Sequence, residues 1–528
     1  MIGFIKNLFG ASNGEVAEND GQIKIQAYDE YNQHVFNGNK YPGGFGYQYD
    51  TELDYWSLRQ KSAQLFKGNH YAAGIIDRLV NNEINTGMAL EATPEPTILG
   101  IDEEFLGDWS ENLENIFQIW ANDPKLCDYS QRLTFNEIQK KAREEALIAG
   151  DVLVIIRSGR TGLPNIQLVR GDRVQSPLTE KPIPEGHRIV DGIELDQRNR
   201  HVRYWIQNDN LDFEGITSFG IRSKRTMSFL LYGKEPRKGE VRGMPLLSRV
   251  LQSLKEIDRY RDSAQRKAVI NSFLAMYIKK TEDKMSSMPV SGGAIHKDSI
   301  QLSSQQAPRK FNLASQMPGI VYEELEVGEE PVGFHSQGTD VNFPNFEGAM
   351  LQSIGWSLGI PPEILTLSFN QNYSASQAAI NEFKMYLDSV REDFSIDFCK
   401  PIYKEWFISS NLNKTVQAPG FLQAWRDPSK YLTVGAWLWS SWTGAVKPST
   451  DMKKAAQGAE IIIDRGWSTN DKMSRELTGT KFSKNVKKLK RENEQLAEAL
   501  RPMLELKQEF GPEQVEEGMT AIYDEEVN

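Results

Sequence analysis

The segment between Phe343 and Tyr373 constrains this chain more than any other part of its sequence. Apolar residues at helical spacing predict an amphipathic helix that stops at Gly359. Pro361 and Pro362 follow, and a proline can neither donate a backbone hydrogen bond nor continue a helix. An uncharged polar and aromatic loop comes next, and then a second helical pattern. This order predicts a loop presented to a partner, although a surface loop between two core helices would show the same pattern.

The candidate contact residues of this loop share hydrogen-bonding side chains without charge. They are Thr366, Ser368, Asn370, Gln371, Asn372, Tyr373 and Ser374. Such groups can contact phosphates without holding them electrostatically. The stiff corner before the loop consists of Gly359, Pro361 and Pro362.

The charge of the chain bears on the partners that it can hold. The sequence has 61 Lys and Arg against 72 Asp and Glu, a net charge of −11. Affinity for the phosphate backbone comes mainly from Lys and Arg, so this balance argues against a tight or sequence-reading DNA binder. It is compatible with a protein past which DNA must slide. Five cations are candidates for a basic channel mouth, although solvated surface residues would look the same: Lys279, Lys280, Lys284, Arg309 and Lys310.

The sequence offers no positive support for an enzyme. It contains no phosphate-binding G-x-x-x-x-G-K-[ST] motif, no G-x-S-x-G motif and no zinc-type spacing of His and Cys, so we predict no catalytic residue, metal or cofactor. Cys127 and Cys399 are far apart and fit a reducing cytoplasm. No apolar run approaches the roughly 18 residues of a membrane span, and the first ten residues do not resemble a secretory signal.

Hydrophobic periodicity predicts a mixed α+β chain. The expected helices cover 58–85, 106–120, 135–149, 247–278, 343–358, 376–410, 451–465 and 484–508, and Pro502 interrupts the apolar stripe of the last. The expected strands cover 152–156, 166–169, 203–206 and 229–232, and a strand-like acidic stretch covers 320–328. The tryptophan-rich stretch 431–442 is expected to be buried packing.

Several phrases, in order along the chain, resemble the lambda-like family of phage portal proteins. Around the corner they are Phe343-Pro-Asn-Phe346, Leu358-Gly-Ile-Pro361, Glu363-Ile-Leu365 and Asn372-Tyr-Ser-Ala375. Elsewhere they include Thr134-Phe-Asn-Glu-Ile-Gln139, Gly150-Asp-Val-Leu-Val154, Arg242-Gly-Met-Pro245 and Ile463-Asp-Arg-Gly-Trp-Ser-Thr469. Each phrase is weak, but their number and order over residues 55–475 make the set specific.

The resemblance implies a non-enzymatic ring, usually of twelve subunits, around a channel at one capsid vertex. Double-stranded DNA would be packaged and ejected through it without sequence recognition. The implied partners are further copies of the chain, the large terminase subunit, the major capsid and scaffold proteins, and a head-completion or adaptor protein, with no membrane. The implied location is the virion, and the host cytoplasm during assembly.

The resemblance also implies a division of the chain into a portal fold with an α/β wing, a helical stem, a small β-containing clip and a helical crown. The expected parts are an extended arm (1–57), wing (58–245), stem helix (246–279), clip (280–341), second stem helix (342–358), tunnel loop (359–375), wing helix and return (376–445), and crown with an acidic tail (446–528).

The alternative is a cytoplasmic oligomeric scaffold or adaptor protein without a DNA channel. The helix predicted over 484–508 carries a partial apolar stripe that could join such subunits: Leu489, Leu496, Leu500 and Leu504. The stripe is shorter than the three or four heptads that a coiled coil needs, so packing within a crowded ring explains it better.

Overall fold

The computed structural model describes residues 55–178, 182–210, 212–237, 240–273, 276–280, 329–333, 343–366, 373–444 and 452–510. These residues form helices and antiparallel sheets, which confirms the α+β class.

The helices alternate with short strands along the first half of the chain and dominate the second half. The helices are α1 (Tyr55–Gly68), α2 (His70–Glu83), α3 (Pro96–Leu99), α4 (Glu103–Asn122), α5 (Pro124–Cys127), α6 (Phe135–Ala149), α7 (Leu251–Phe273), α8 (Phe343–Leu358), α9 (Pro362–Thr366), α10 (Tyr373–Phe394), α11 (Lys400–Leu412), α12 (Phe421–Arg426), α13 (Tyr431–Leu438), α14 (Met452–Asp464), α15 (Asn470–Thr478) and α16 (Phe482–Phe510). A π-helical turn, Ser395–Cys399, joins α10 to α11.

The strands are β1 (Ala89–Ala92), β2 (Asp151–Ser158), β3 (Pro164–Arg170), β4 (Arg188–Val190), β5 (Ile193–Leu195), β6 (His201–Gln207), β7 (Phe213–Thr217), β8 (Ser228–Tyr232), β9 (Met276–Lys280), β10 (Glu329–Gly333) and β11 (Ser440–Thr443). They form sheets in the orders β3-β2-β8, β4-β5-β6-β7, β1-β11 and β10-β9. Strand β2 is buried over its first six positions, and the five that follow Asp151 are apolar, because it is central in its sheet and α6 packs on it. A capping box between Thr134 and Glu137 sets the start of α6.

An aromatic core joins the early helices to the helices after the loop. Phe117 lies 5.0 Å from Trp406 and 5.7 Å from Phe135, ring centre to ring centre, and both contacts are edge-on, a favoured geometry for aromatic pairs. Trp437 and Trp442 are buried in or beside this core, whereas Trp439 is 66% exposed. The expected burial of the tryptophan-rich stretch is therefore wrong at Trp439, because α13 ends at Leu438 and the chain turns outward before β11. It is also wrong at Tyr431 and Leu432, which are exposed in the first turn of α13.

A second core surrounds the proline corner. Buried apolar side chains from α2, α7, α8, α9 and α10 meet there, and they include Ile76, Leu254, Ile354, Leu365 and Phe383. The helices that flank the corner are thus packed together and also against the first part of the chain.

Two predicted helix limits are wrong. The helix after Pro245 ends at Phe273, and Met276–Lys280 is a strand paired with Glu329–Gly333, a partner too remote in sequence for local periodicity to reveal. The helix predicted over 58–85 is two helices, because the Asn69 side chain accepts a hydrogen bond from the Ala72 amide and caps a new helix. Helix α16 contains the whole of the helix predicted over 484–508 and continues through Pro502 to Phe510.

Candidate functional site

The end of α8 is a backbone motif that fixes the direction of the chain. Gly359 has a φ of +72°, the Ile360 amide donates to the Gly355 carbonyl at 2.9 Å, and the Gly359 amide donates to the Trp356 carbonyl at 3.4 Å. This is the Schellman arrangement, and the buried Ile360 side chain adds its usual apolar contact. Glycine is favoured at 359 because other L residues resist a positive φ.

Two glycines of α8 provide a matched test of this corner. A Cβ at Gly355 would lie 2.6 Å from the Ile360 carbonyl oxygen, whereas a Cβ at Gly348 would meet no atom within 4 Å. We expect Gly355→Ala to destabilise the protein by about 1–3 kcal/mol through overpacking. Gly348→Ala should instead be neutral or stabilise by up to about 1 kcal/mol through helix propensity. Thermal midpoints of the two variants measure the difference, and equal midpoints would contradict the geometry of the corner.

Helix α9 anchors the start of the loop. The Ile364 and Leu365 amides both donate to the Pro361 carbonyl at 3.0 Å, and both side chains are buried in the second core. The Arg78 guanidinium of α2 donates to the Ile364 carbonyl at 3.4 Å. Thr366 ends the helix, exposed, with its hydroxyl donating to the Pro362 carbonyl.

A buried network around Glu83 anchors the helix after the loop. The Tyr386 hydroxyl of α10 donates to one Glu83 carboxylate oxygen at 2.8 Å, and the Arg143 guanidinium donates to the other at 2.6 Å. Arg391 of α10 donates to the Glu83 backbone carbonyl at 2.9 Å. Burial raises the pKa of Tyr386, and the Glu83 carboxylate raises it further, so the phenol stays protonated and keeps donating. The loop thus runs between two fixed ends.

The structure distributes the predicted loop residues over three regions. Gly359, Pro361 and Pro362 form the corner, and Thr366 closes α9. Tyr373 and Ser374 begin α10, so the expectation that both belong to the loop is wrong; the helical pattern of α10 reaches further back than the apolar spacing suggested. The remaining candidates lie outside the described residues: Ser368, Asn370, Gln371 and Asn372.

Two of the five cations predicted for a basic channel mouth lie in the described part of the chain. Lys279 and Lys280 occupy β9, directly opposite Glu330 and Glu329 of β10 in the strand register. The formal charges of the two lysines and the two glutamates cancel, so these lysines give the strand pair no net positive charge. Lys284, Arg309 and Lys310 lie outside the described residues.

A buried ionic cluster surrounds Asp151 and was not predicted from the sequence. One Asp151 oxygen accepts from Arg242 at 2.8 Å, and the other accepts from Arg242 at 2.9 Å, from Arg59 at 2.7 Å and from the Gly243 amide at 3.0 Å. Burial alone would raise the pKa of Asp151, but Arg242 and Arg59 outweigh it and hold the pKa below its ordinary value. The cluster ties α1, β2 and the segment before α7 together. Its sequence signal is a carboxylate placed directly before the apolar run of β2.

The described residues contain no group of three or more His, Cys, Asp or Glu side chains arranged to hold a metal ion. In the same parts of the chain, every helix is too short or too polar to cross a lipid bilayer.

Comparison with known proteins gives consistent matches. A family model described as phage portal protein, lambda family, matches residues 38–391. The portal protein of Escherichia phage N15 is 21% identical over 480 residues, which cover 86% of this chain and 88% of that protein. Portal protein B of Escherichia phage lambda is 21% identical over 430 residues, covering 78% and 79%. A solved structure of the neck of a native gene transfer agent particle aligns with 80% of this chain and 93% of its own, at 11% identity and a TM-score of 0.39.

Proposed function

The chain belongs to the lambda family of phage portal proteins, and we propose that its copies form a ring, of twelve subunits, around a channel for double-stranded DNA at one capsid vertex. The family is structural, and the protein acts by providing a passage. DNA enters the capsid through it during packaging and leaves through it at ejection.

The main observation in support of this mechanism is that both ends of an uncharged loop are held by well-packed segments. The Schellman corner and α9 hold one end of residues 367–372, and the Glu83 network holds the helix at the other end. Residues 367–372 carry no charged side chain. DNA that passes such a loop finds hydrogen-bonding groups for its phosphates and no cation of the loop to hold it.

We assign the parts of the ring as the family pattern suggests. Residues 58–245, with 376–445, form the wing, and α7 and α8 form the stem. Residues 280–341 form the clip, whose base is the β9–β10 pair, and the clip meets the large terminase subunit and later the head-completion protein. Residues 446–528 form the crown within the capsid. The major capsid and scaffold proteins contact the outside of the ring during assembly in the host cytoplasm.

Mass and symmetry of the purified protein test this proposal. Native mass spectrometry should give an assembly of about twelve chains of 60.0 kDa, and electron-microscope class averages should show a central hole. If the protein stays monomeric alone, the same measurement is repeated with scaffold and major capsid proteins present. A monomer under both conditions would contradict the ring and support an adaptor without a channel.

A further inference from the structure

The outward face of α8 ends in a tryptophan that the described part of its own chain leaves uncovered. Trp356 is 91% exposed, and the other exposed residues on this face are uncharged: Asn345, Ala349, Ser353 and, at the border with the neighbouring groove, Gln352. Burial of an indole removes a large apolar area from water, so a contact that covers this side chain is favourable. Exposed tryptophans of this kind are common anchors of protein interfaces.

A groove lies on a neighbouring side of the same helix. It has a volume of about 740 Å³ and is bounded by α2, α8 and α9. Ile75, Leu351 and Leu365 give it an apolar floor, and the Glu363 carboxylate and the Thr366 hydroxyl lie at its edge. The volume is ample for an indole ring, and the edge offers acceptors for the indole N–H.

The positions of the tryptophan and the groove suit a ring. Subunits of a ring meet head to tail, so one face must carry the projecting group and a different face of the same subunit must carry its pocket. At about 100° per residue, Trp356 lies roughly 80° from Gly348 and 140° from Leu351 around α8. Trp356 lies four residues, or about 6 Å along the helix axis, beyond Gln352, the groove residue of α8 nearest to it in sequence.

We propose that Trp356 of each subunit inserts into the α2–α8–α9 groove of the neighbouring copy. This inference rests on the proposed ring and names a contact that holds it together. The uncharged outward face of α8 supports it, because this face brings no charged side chain to the contact. The groove itself is bordered by Arg78, Glu347 and Glu363, and Glu347 already accepts a hydrogen bond from Tyr71. The contact would also lie next to the corner, so each subunit would brace the base of its neighbour's loop.

Site-directed crosslinking tests the contact. We expect Trp356→Cys combined with Gly348→Cys to give covalent multimers in the assembled protein on treatment with a short bismaleimide. Gly348 has open space at its Cβ position, so the substitution should not disturb the fold. The native thiols should stay unreactive, because burial raises the pKa of Cys127 to about 12 and the pKa of Cys399 well above its usual range.

The outcomes of the crosslinking experiment distinguish a failure of the proposed contact from a failure of the proposed ring. Multimers from the double variant, and from neither single variant, would support the contact. Rings of the double variant without crosslinks would overturn this inference and leave the proposed function intact, whereas a wild-type protein that forms no ring would overturn the proposed function first. Multimers from Trp356→Cys alone would also overturn the inference, because the tryptophans would then face one another.

A second measurement does not depend on the added cysteines. Trp356→Ala should raise the protein concentration needed for half-maximal ring formation by about 30-fold, the effect of losing an interface anchor. Trp467→Ala is the matched control, since Trp467 is 76% exposed on the turn between α14 and α15 and should leave that concentration unchanged. No change for Trp356→Ala, or equal losses in both variants, would argue against the contact.

Discussion

Asp151→Ala should destabilise the protein by about 3–5 kcal/mol, the largest loss of stability that we expect from one substitution. The variant leaves the Arg242 guanidinium buried without its counter-charge and removes one buried partner of Arg59, and an uncompensated buried charge carries a cost of that order. The thermal midpoint and resistance to proteolysis should both fall. Asp209→Ala is a matched control, because Asp209 pairs with Arg173 at the exposed surface, where an ion pair contributes little.

The same cluster gives a pH dependence with a definite sign. Because the folded state lowers the pKa of Asp151, its ionised form stabilises the fold at every pH above the ordinary aspartate pKa of about 3.9. This contribution disappears as the pH falls through the lowered value and the carboxylate takes up a proton. The difference in thermal midpoint between wild type and Asp151→Ala should therefore be constant from pH 7 to about pH 5 and shrink in stronger acid. A difference that grows in acid would contradict the assignment.

Replacing Asn370, Gln371 and Asn372 together with lysine should leave the ring assembled yet slow DNA packaging by at least about tenfold. Each subunit would add three cations to the channel. The affinity of a protein for DNA increases with the number of lysine–phosphate contacts, so passing DNA would be held more tightly. The amount of DNA protected in filled capsids per unit time measures the effect. We expect the inhibition to weaken at higher salt, as phosphate contacts do.

The control for the lysine variant replaces the same three residues with serine, which keeps hydrogen-bonding groups and adds no charge. It should package DNA at close to the wild-type rate. Packaging that is unchanged in the lysine variant would remove the loop from the mechanism. Rings that fail to assemble in both variants would show that these residues have a role in subunit contacts instead.

Sequence periodicity predicted the elements that bury a continuous apolar face. Helix α6 has the predicted limits, and the strand predicted over 152–156 lies within β2, because each packs into a core along its whole length. Strands β4, β5 and β7 were not predicted. They have only three to five residues, and their pairing depends on partners that local sequence does not reveal.

The candidate site could be predicted only where residues that restrict the backbone conformation mark it in the sequence. Gly359 and the two prolines predicted the corner, because glycine allows a positive φ and proline fixes φ and ends a helix. The charged clusters around Glu83 and Asp151 could not be found in this way. Their partners Arg143 and Arg242 are 60 and 91 residues away in sequence, and only the packed structure brings them together.

The β9–β10 pair has a consequence for how this family can diversify. It holds the two ends of residues 281–328 side by side, so that long segment leaves and re-enters the fold at a single place. The entropy of closing such a loop grows only with the logarithm of its length: a change from about 50 residues to about 10 alters the free energy by roughly 1.4 kcal/mol. The segment can therefore be lengthened, shortened or exchanged with little effect on the stability of the rest. The family can therefore vary this segment while it keeps the rest of the fold.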